Sequence, residues 1–188
     1  MSRQEFIYEG NRLLEQRLYD NANKHVAGFH FFYNAGKLLT ESYYELKPDT
    51  VRVIERTYEY HNGKVLRINE KNLNVNTASY NVFQHYGDNI SRIKTYNAAN
   101  DVLTDDVEML YDNKPNPFYN AYPDLPGLVK SSSPNNVTKL IEHVRNGQPA
   151  GTAFISTYKY NGNGYPTEQH TEYGSKTIHE QSFTYKCR

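Results

Sequence analysis

Segments in which Tyr, Phe, Val, Ile and Thr interleave with charged residues fill most of this chain, and short clusters of Gly, Asn and Asp separate them. Residues of that kind fit a pleated, half-buried surface, and the punctuating clusters are turn chemistry. The pattern predicts strands over 4–8, 12–19, 25–33, 37–46, 51–60, 64–70, 78–86, 89–96, 102–111, 137–145, 152–160, 165–173 and 176–186. Hairpin turns are predicted at Asn34-Ala35-Gly36, Lys47-Pro48-Asp49-Thr50, His61-Asn62-Gly63, Gly87-Asp88-Asn89 and Asn161-Gly162-Asn163-Gly164. Asn-Gly pairs favour the primed turns whose twist matches that of the flanking strands.

The segments recur as one phrase: aromatic-x-Tyr, a turn, then Lys, Arg or Asn followed by aliphatics. It reads Phe6-Ile7-Tyr8-Glu9-Gly10-Asn11-Arg12-Leu13-Leu14, then Phe31-Phe32-Tyr33-Asn34-Ala35-Gly36-Lys37-Leu38-Leu39, then Tyr58-Glu59-Tyr60-His61-Asn62-Gly63-Lys64-Val65-Leu66. A looser copy stands at Phe83–Ile90 and a late one at Tyr158–Tyr165. The turn glycines Gly10, Gly36, Gly63 and Gly87 are 26, 27 and 24 residues apart. A fixed period centred on a turn marks a repeat architecture in which neighbouring hairpins stabilise one another.

The alternation is imperfect. In Val51–Tyr60 one face carries Ile54, Tyr58 and Tyr60 but also Arg52 and Arg56, where a one-sided sandwich strand would be cleanly apolar. The expected fold is therefore all-β: an antiparallel meander of about 12–13 strands built from repeated hairpins, either a strongly curved sheet wet on both sides or an open barrel. The whole chain, 1–188, reads as a single repeat-built domain interrupted at 112–136, where five of the eight prolines fall. Proline cannot donate to a strand ladder. A short helix is expected near 117–122, capped by Asn116 with Pro117 at its first position. Phe118, Tyr119, Tyr122, Leu125 and Leu128 are expected to pack onto the sheet.

Composition sharpens the picture. Hydrophobic residues make up only 37% of the chain, yet it holds 18 Tyr, 8 Phe and 21 Asn. Tyr suits a surface where the ring packs and the hydroxyl stays wet. Formal net charge is zero, so the chain carries no electrostatic footprint for nucleic acid or an anionic membrane. Cys187 is the only cysteine, which excludes an internal disulfide framework. Met1–Glu5 lacks a signal-peptide core, consistent with either a cytoplasmic protein or one whose leader has been removed.

The leading candidate for chemistry is Tyr111-Asp112-x-Lys114-x-Asn116-Pro117-Phe118, where an aromatic beside Asp112, Lys114 and Asn116 would hold a sugar. The competing reading makes Asp112 and Asn116 local caps and Phe118 a plug. Tyr33, Tyr60, Tyr86, Tyr111 and Tyr160 end equivalent strands and form either a cross-strand ladder or an aromatic platform for polysaccharide or peptide. Asp101, Asp105, Asp106 and Glu108 read as a solvated turn and strand edge rather than a calcium loop. His61 and His85 flank turns in successive repeats, but no histidine pair has zinc-motif spacing, so no metal site is expected. No nucleophile elbow, phosphate loop or dinucleotide fingerprint occurs, and no cofactor or catalytic residue is assigned.

The Tyr-x-Tyr-(Asn/His)-x-Gly-(Lys/Tyr) hairpins resemble the YD repeats of RHS-type proteins. With Tyr111–Phe118, Ser133-Pro134-Asn135-Asn136-Val137-Thr138 and Gly164-Tyr165-Pro166, in that order, the chain resembles a domain-of-unknown-function family of secreted bacterial lipoproteins with RHS/YD-like β-hairpin repeats. The resemblance implies an extracytoplasmic, all-β protein of the periplasm or cell surface, with a leader and a peripheral lipid anchor in the full-length protein. Neither stands in this chain, where Cys187 is at the opposite end. The expected role is a non-enzymatic binding or scaffold module of the cell envelope contacting polysaccharide or another envelope protein. The alternatives are an interaction module pairing through a sheet edge and a glycan-active hydrolase.

Overall fold

The computed structural model describes residues 3–47, 49–119, 133–174 and 176–185. The chain forms strands β1 (Arg3–Glu9), β2 (Arg12–Tyr19), β3 (His25–Asn34), β4 (Lys37–Lys47), β5 (Asp49–His61), β6 (Lys64–Asn72) and β7 (Thr77–Tyr86). There follow β8 (Asn89–Asn97), β9 (Val102–Pro115), β10 (Asn135–Arg145), β11 (Gln148–Pro149), β12 (Thr152–Tyr160), β13 (Pro166–Tyr173) and β14 (Lys176–Ser182). The architecture is an all-β antiparallel meander: strands follow one another in chain order, with the two-residue β11 paired to β10 off the main path. The described residues fall into two compact units, one of residues 3–82 with 97–101, the other of 83–96, 102–119 and 133–185.

Turn chemistry accounts for the hairpins. Ala35 and Gly36 have φ of 48° and 79°, Asn62 and Gly63 of 49° and 82°, and Asn146 and Gly147 of 50° and 75°. Positive φ at both central residues is the type I′ turn that the Asn-Gly pairs favour. The loops that they close are two residues long, between the pairs Asn34↔Lys37, His61↔Lys64 and Arg145↔Gln148.

The repeated phrase also carries a β-bulge. In the first unit, Ile7↔Glu15 is followed by Tyr8↔Leu13, Phe32↔Thr40 by Tyr33↔Leu38, and Glu59↔Arg67 by Tyr60↔Val65. Leu14, Leu39 and Leu66 are the extra residues. A bulge inserts one unpaired residue and so breaks the alternation of faces. The first aliphatic after each turn is core and the second, the extra residue, is not: Leu38 is 6% exposed against 48% for Leu39, and Val65 7% against 43% for Leu66. In the second unit the bulge recurs where Lys159↔Glu168 is followed by Tyr160↔Pro166, and Pro166 is fully buried.

The mixed faces have their explanation in charge pairing. In the first unit, Glu41 of β4 stands opposite Arg56 of β5, which stands opposite Glu70 of β6. Arg56 Nη1 donates to Glu41 Oε1 at 2.6 Å and Arg56 Nε to Glu70 Oε2 at 2.6 Å, while the Tyr58 hydroxyl donates to Glu41 Oε2 at 2.6 Å. Glu41 is buried, and both of its oxygens are satisfied, as a buried charge requires. Burial, and then the Glu41 charge, push the Tyr58 hydroxyl well above the ordinary phenol range.

Some expectations are corrected. β9 runs on to Pro115 and β10 begins at Asn135, so the break in the sheet spans 116–134 rather than 112–136. Pairs Tyr111↔Val137 and Pro115↔Asn135 carry the ladder that far, with proline at the strand end. β5 starts at Asp49 because Thr50 and Asp49 continue the pairing with Leu46 and Lys47. β14 stops at Ser182, after which Phe183 N donates to Thr167 O. Of the helix expected at 117–122, the described part is a turn in which Tyr119 N donates to Asn116 O at 3.2 Å; Tyr122, Leu125 and Leu128 lie outside the described residues. Phe118 and Tyr119 are exposed rather than packed inward. Asp106 does not belong to a solvated edge: it is buried in the second unit, and its two oxygens accept from Arg92 Nε and Nη2 at 2.6 and 2.7 Å.

Candidate functional site

The two motifs that flank the break meet in the second unit, around Asp112. Asp112 Oδ1 accepts from the backbone N–H of Lys114 at 3.0 Å and of Asn136 at 3.1 Å. The Asn136 amide donates to Asp112 Oδ2 at 3.2 Å, and the Tyr160 hydroxyl closes the other side of the carboxylate with a short bond. Burial, then that bond to Asp112, raise the Tyr160 hydroxyl above the ordinary phenol range. Asn136 is itself buried, and its Nδ2 also reaches Lys114 O and Pro115 O, both at 3.3 Å.

A second layer continues from this knot. Asn116 Nδ2 donates to Ser133 O at 2.9 Å, and its Oδ1 accepts from Phe118 N at 3.0 Å, the side-chain turn expected of a capping Asn. The buried Ser133 hydroxyl accepts from Ile90 N at 3.0 Å and donates to the Tyr111 hydroxyl at 2.9 Å, which in turn donates to Ile90 O at 2.7 Å. Asn89 and Asn135 exchange bonds of 2.9 and 3.3 Å. Each of these buried polar groups has its partner, which makes the knot a rigid support.

Two aromatic pairs adjoin it along the chain. In the hairpin after β12, Asn161 Oδ1 accepts from Asn163 N and Tyr165 N, both at 3.0 Å. Gly164 at φ 82° brings the turn against the Lys114 and Pro115 side chains. Tyr165 packs on Tyr185 with ring centroids 5.6 Å apart, and the Tyr185 hydroxyl donates to Pro166 O at 2.7 Å. Phe118 packs on Phe183 at 5.8 Å. Phe118, Tyr119, Tyr165 and Tyr185 all remain solvent-exposed on their outer sides.

The residues singled out in the sequence thus separate into groups. Asp112, Lys114, Asn116, Tyr111 and Tyr160 come together, with the hydroxyls or carboxylate of Tyr111, Asp112 and Tyr160 turned into the knot. Tyr60, in the first unit, donates to Leu38 O at 2.9 Å and carries Lys37 Nζ 5.3 Å from its ring centroid. Tyr33 is half-buried in that unit, and Tyr86, in the second, is 83% exposed at the end of β7. Phe183, Tyr165 and Tyr185 were not singled out as candidates in the sequence. Tyr165 had a local signal, its place directly after an Asn-Gly turn, whereas Phe183 and Tyr185 had none.

Elsewhere in the second unit, β12, β13 and β14 line a groove of about 580 Å³ that includes Lys159, Glu168, His170 and Glu180. Lys159 Nζ pairs with Glu168 at 2.6 Å, and His170 lies 3.2 Å from Glu172 and 3.4 Å from Glu180. Each of these carboxylates thus lies beside a cation or an imidazole.

No protein-family model matches the chain, and no curated protein matches it. Among solved structures it is similar to a porin-like protein from Bacteroides uniformis, at 13% identity over 97% of this chain and 92% of that one, with a TM-score of 0.37.

Proposed function

We propose that this chain is a non-enzymatic binding module of the bacterial cell envelope, whose ligand surface is the exposed aromatic cluster of Phe118, Tyr165 and Tyr185. One observation carries the reading: these rings stay outside while the neighbouring polar groups are consumed by internal hydrogen bonds. Rings held on a rigid base present stacking faces at little entropic cost, which suits the apolar faces of sugar rings and the proline or aromatic side chains of peptides. Lys114, exposed beside Gly164, adds a donor at the rim. The envelope location rests on the RHS/YD-like repeat resemblance of the hairpins, and an extracytoplasmic compartment belongs to the same proposal.

Titration of the ¹⁵N-labelled chain with envelope polysaccharides and peptidoglycan-derived peptides tests this reading. Shifts concentrated at 114–119 and 161–166 are expected, and Tyr165→Ala or Phe118→Ala should weaken binding by at least about 10-fold while leaving the unfolding midpoint nearly unchanged. No binding to either panel at millimolar concentration, or binding unaffected by both variants, would sink the proposal.

A further inference from the structure

The path of the sheet begins at β1 and ends at β14. Among the described residues of the first unit β1 has one hydrogen-bonded neighbour, β2. Glu9 and Arg12 close a two-residue turn and so exchange backbone bonds. Alternation along β1 then directs the N–H and C=O groups of Gln4, Phe6 and Tyr8 away from β2. Among the described residues these groups meet no second strand, and such a sheet edge is a template for another strand. The side chains of the same three residues share one face, on which Phe6 is 40% exposed and Tyr8 52%.

We propose that this edge is a homodimer interface, in which β1 pairs antiparallel with β1 of a second copy about a two-fold axis through Phe6. The sequence Arg-Gln-Glu-Phe-Ile-Tyr-Glu is self-complementary in that register. Phe6 meets Phe6 of the second copy, Gln4 meets Tyr8, Glu5 meets Ile7, and Arg3 meets Glu9 at both ends. Charge selects the register. An axis at Glu5 sets Glu5 against its own copy, and an axis at Ile7 sets Glu5 against Glu9. Like charges directly opposite destabilise a strand pair, whereas opposite charges and aromatic pairs stabilise it.

The charges on β1 fit this use. Glu5 is already engaged, accepting from the Tyr19 hydroxyl at 2.5 Å with Arg17 Nη1 at 3.9 Å. Glu9 has no ion-pair partner among the described residues. The Arg3 guanidinium lies 3.9 Å from the Tyr19 ring centroid. Stacking occupies the face of a guanidinium and leaves its in-plane N–H donors for a carboxylate. An isologous contact of this kind closes on itself and joins two copies into one continuous sheet.

Sedimentation velocity on the full chain tests the interface. The wild type is expected to dimerise at or below about 100 µM. Arg3→Glu and Glu9→Arg should each weaken the dimer by at least about 10-fold, and the double variant, which restores opposite charges with their places exchanged, should recover it. Circular dichroism of the charge variants should match wild type, separating lost pairing from lost folding. Phe6→Pro, which removes the N–H on the axis, should abolish the dimer. A chain that stays monomeric, a dimer indifferent to either single reversal, or a double variant as weak as the singles overturns the proposal. None of these outcomes bears on the aromatic ligand surface of the second unit.

Discussion

Tyr44 of β4 covers Gly28 of β3, its directly opposite neighbour, so closely that no side chain can stand at position 28. A Cβ there would lie 2.5 Å from the Tyr44 hydroxyl oxygen, 2.7 Å from its Cζ and 2.5 Å from Gln16 O. Tyr44 cannot easily withdraw. Its hydroxyl donates to Glu15 at 2.7 Å and contacts His25 at 3.2 Å, and its ring stacks on His30 at 4.6 Å. The glycine, which weakens a strand by itself, is compensated by the aromatic ring above it. Gly28→Ala is expected to cost about 1–3 kcal/mol in urea unfolding, the usual range for overpacking. In a Tyr44→Ala background the same change should cost less, only the part owed to Gln16 O remaining. An equal penalty in both backgrounds would show that the ring is not the cause.

Adjacent aliphatics after the turns are unequal in burial. Leu38→Ala should cost about 2–5 kcal/mol, because it empties a buried site. Leu39→Ala, one residue on, should stay within about 0.5 kcal/mol, since that side chain is half in water. Val65 and Leu66 should repeat the contrast. Equal effects within each pair would mean that the two side chains do not differ in burial.

Three tyrosines act through their hydroxyls. Tyr60 donates to Leu38 O, Tyr111 to Ile90 O, and Tyr185 to Pro166 O, in each case the carbonyl of a buried residue about one repeat earlier in the chain. Tyr60→Phe and Tyr111→Phe should each lose about 0.5–1.5 kcal/mol with the ring packing retained. Tyr111→Phe should be the costlier, because Ser133 loses its acceptor as well. Thermal melts of the Phe variants, set beside Tyr86→Phe at an exposed position, supply the comparison.

Stability should fall at both extremes of pH. The bonds from Arg17 and Arg92 hold the Glu15 and Asp106 carboxyls below the ordinary carboxylate range. Their contribution is fully present above the unfolded values near about 4 and is lost as pH falls through the lower folded values. Tyr44, Tyr58 and Tyr160 are raised by burial and then by Glu15, Glu41 and Asp112 beside them. A raised phenol stabilises the fold below about pH 10 and ceases to do so as pH climbs toward the folded value. Melting temperature followed from pH 2 to 12 should therefore fall at both ends. Arg92→Gln should flatten the acid limb and leave the alkaline limb in place.

Much of the fold was legible in the residues. The strand bounds lie within a few positions of those predicted, because β-branched and aromatic runs and Asn-Gly turns act over short stretches of chain. The pairing of Lys47 with Asp49 was missed, since Pro48 reads as a turn wherever the flanking strands happen to start. At the candidate site, the capping use of Asn116 was legible, as its bond to Phe118 N is two residues long. The exposure of Phe118 was not, because its neighbour Phe183 lies far along the chain. Asp106 was taken for a surface charge because nothing local announces Arg92, 14 residues earlier and brought alongside by strand pairing.

Strand, turn and repeat were determined by the chain itself: alternation, glycine and asparagine placement, and the wealth of tyrosine are local properties that need no partner. Which carboxylate meets which cation, which of two adjacent leucines is core, and why position 28 must be glycine were decided only by tertiary structure. The physical reason is register. A single bulged residue exchanges the faces of everything beyond it, and the cross-strand neighbours that satisfy Glu41, Asp106 and Asp112 exist only once that register is set.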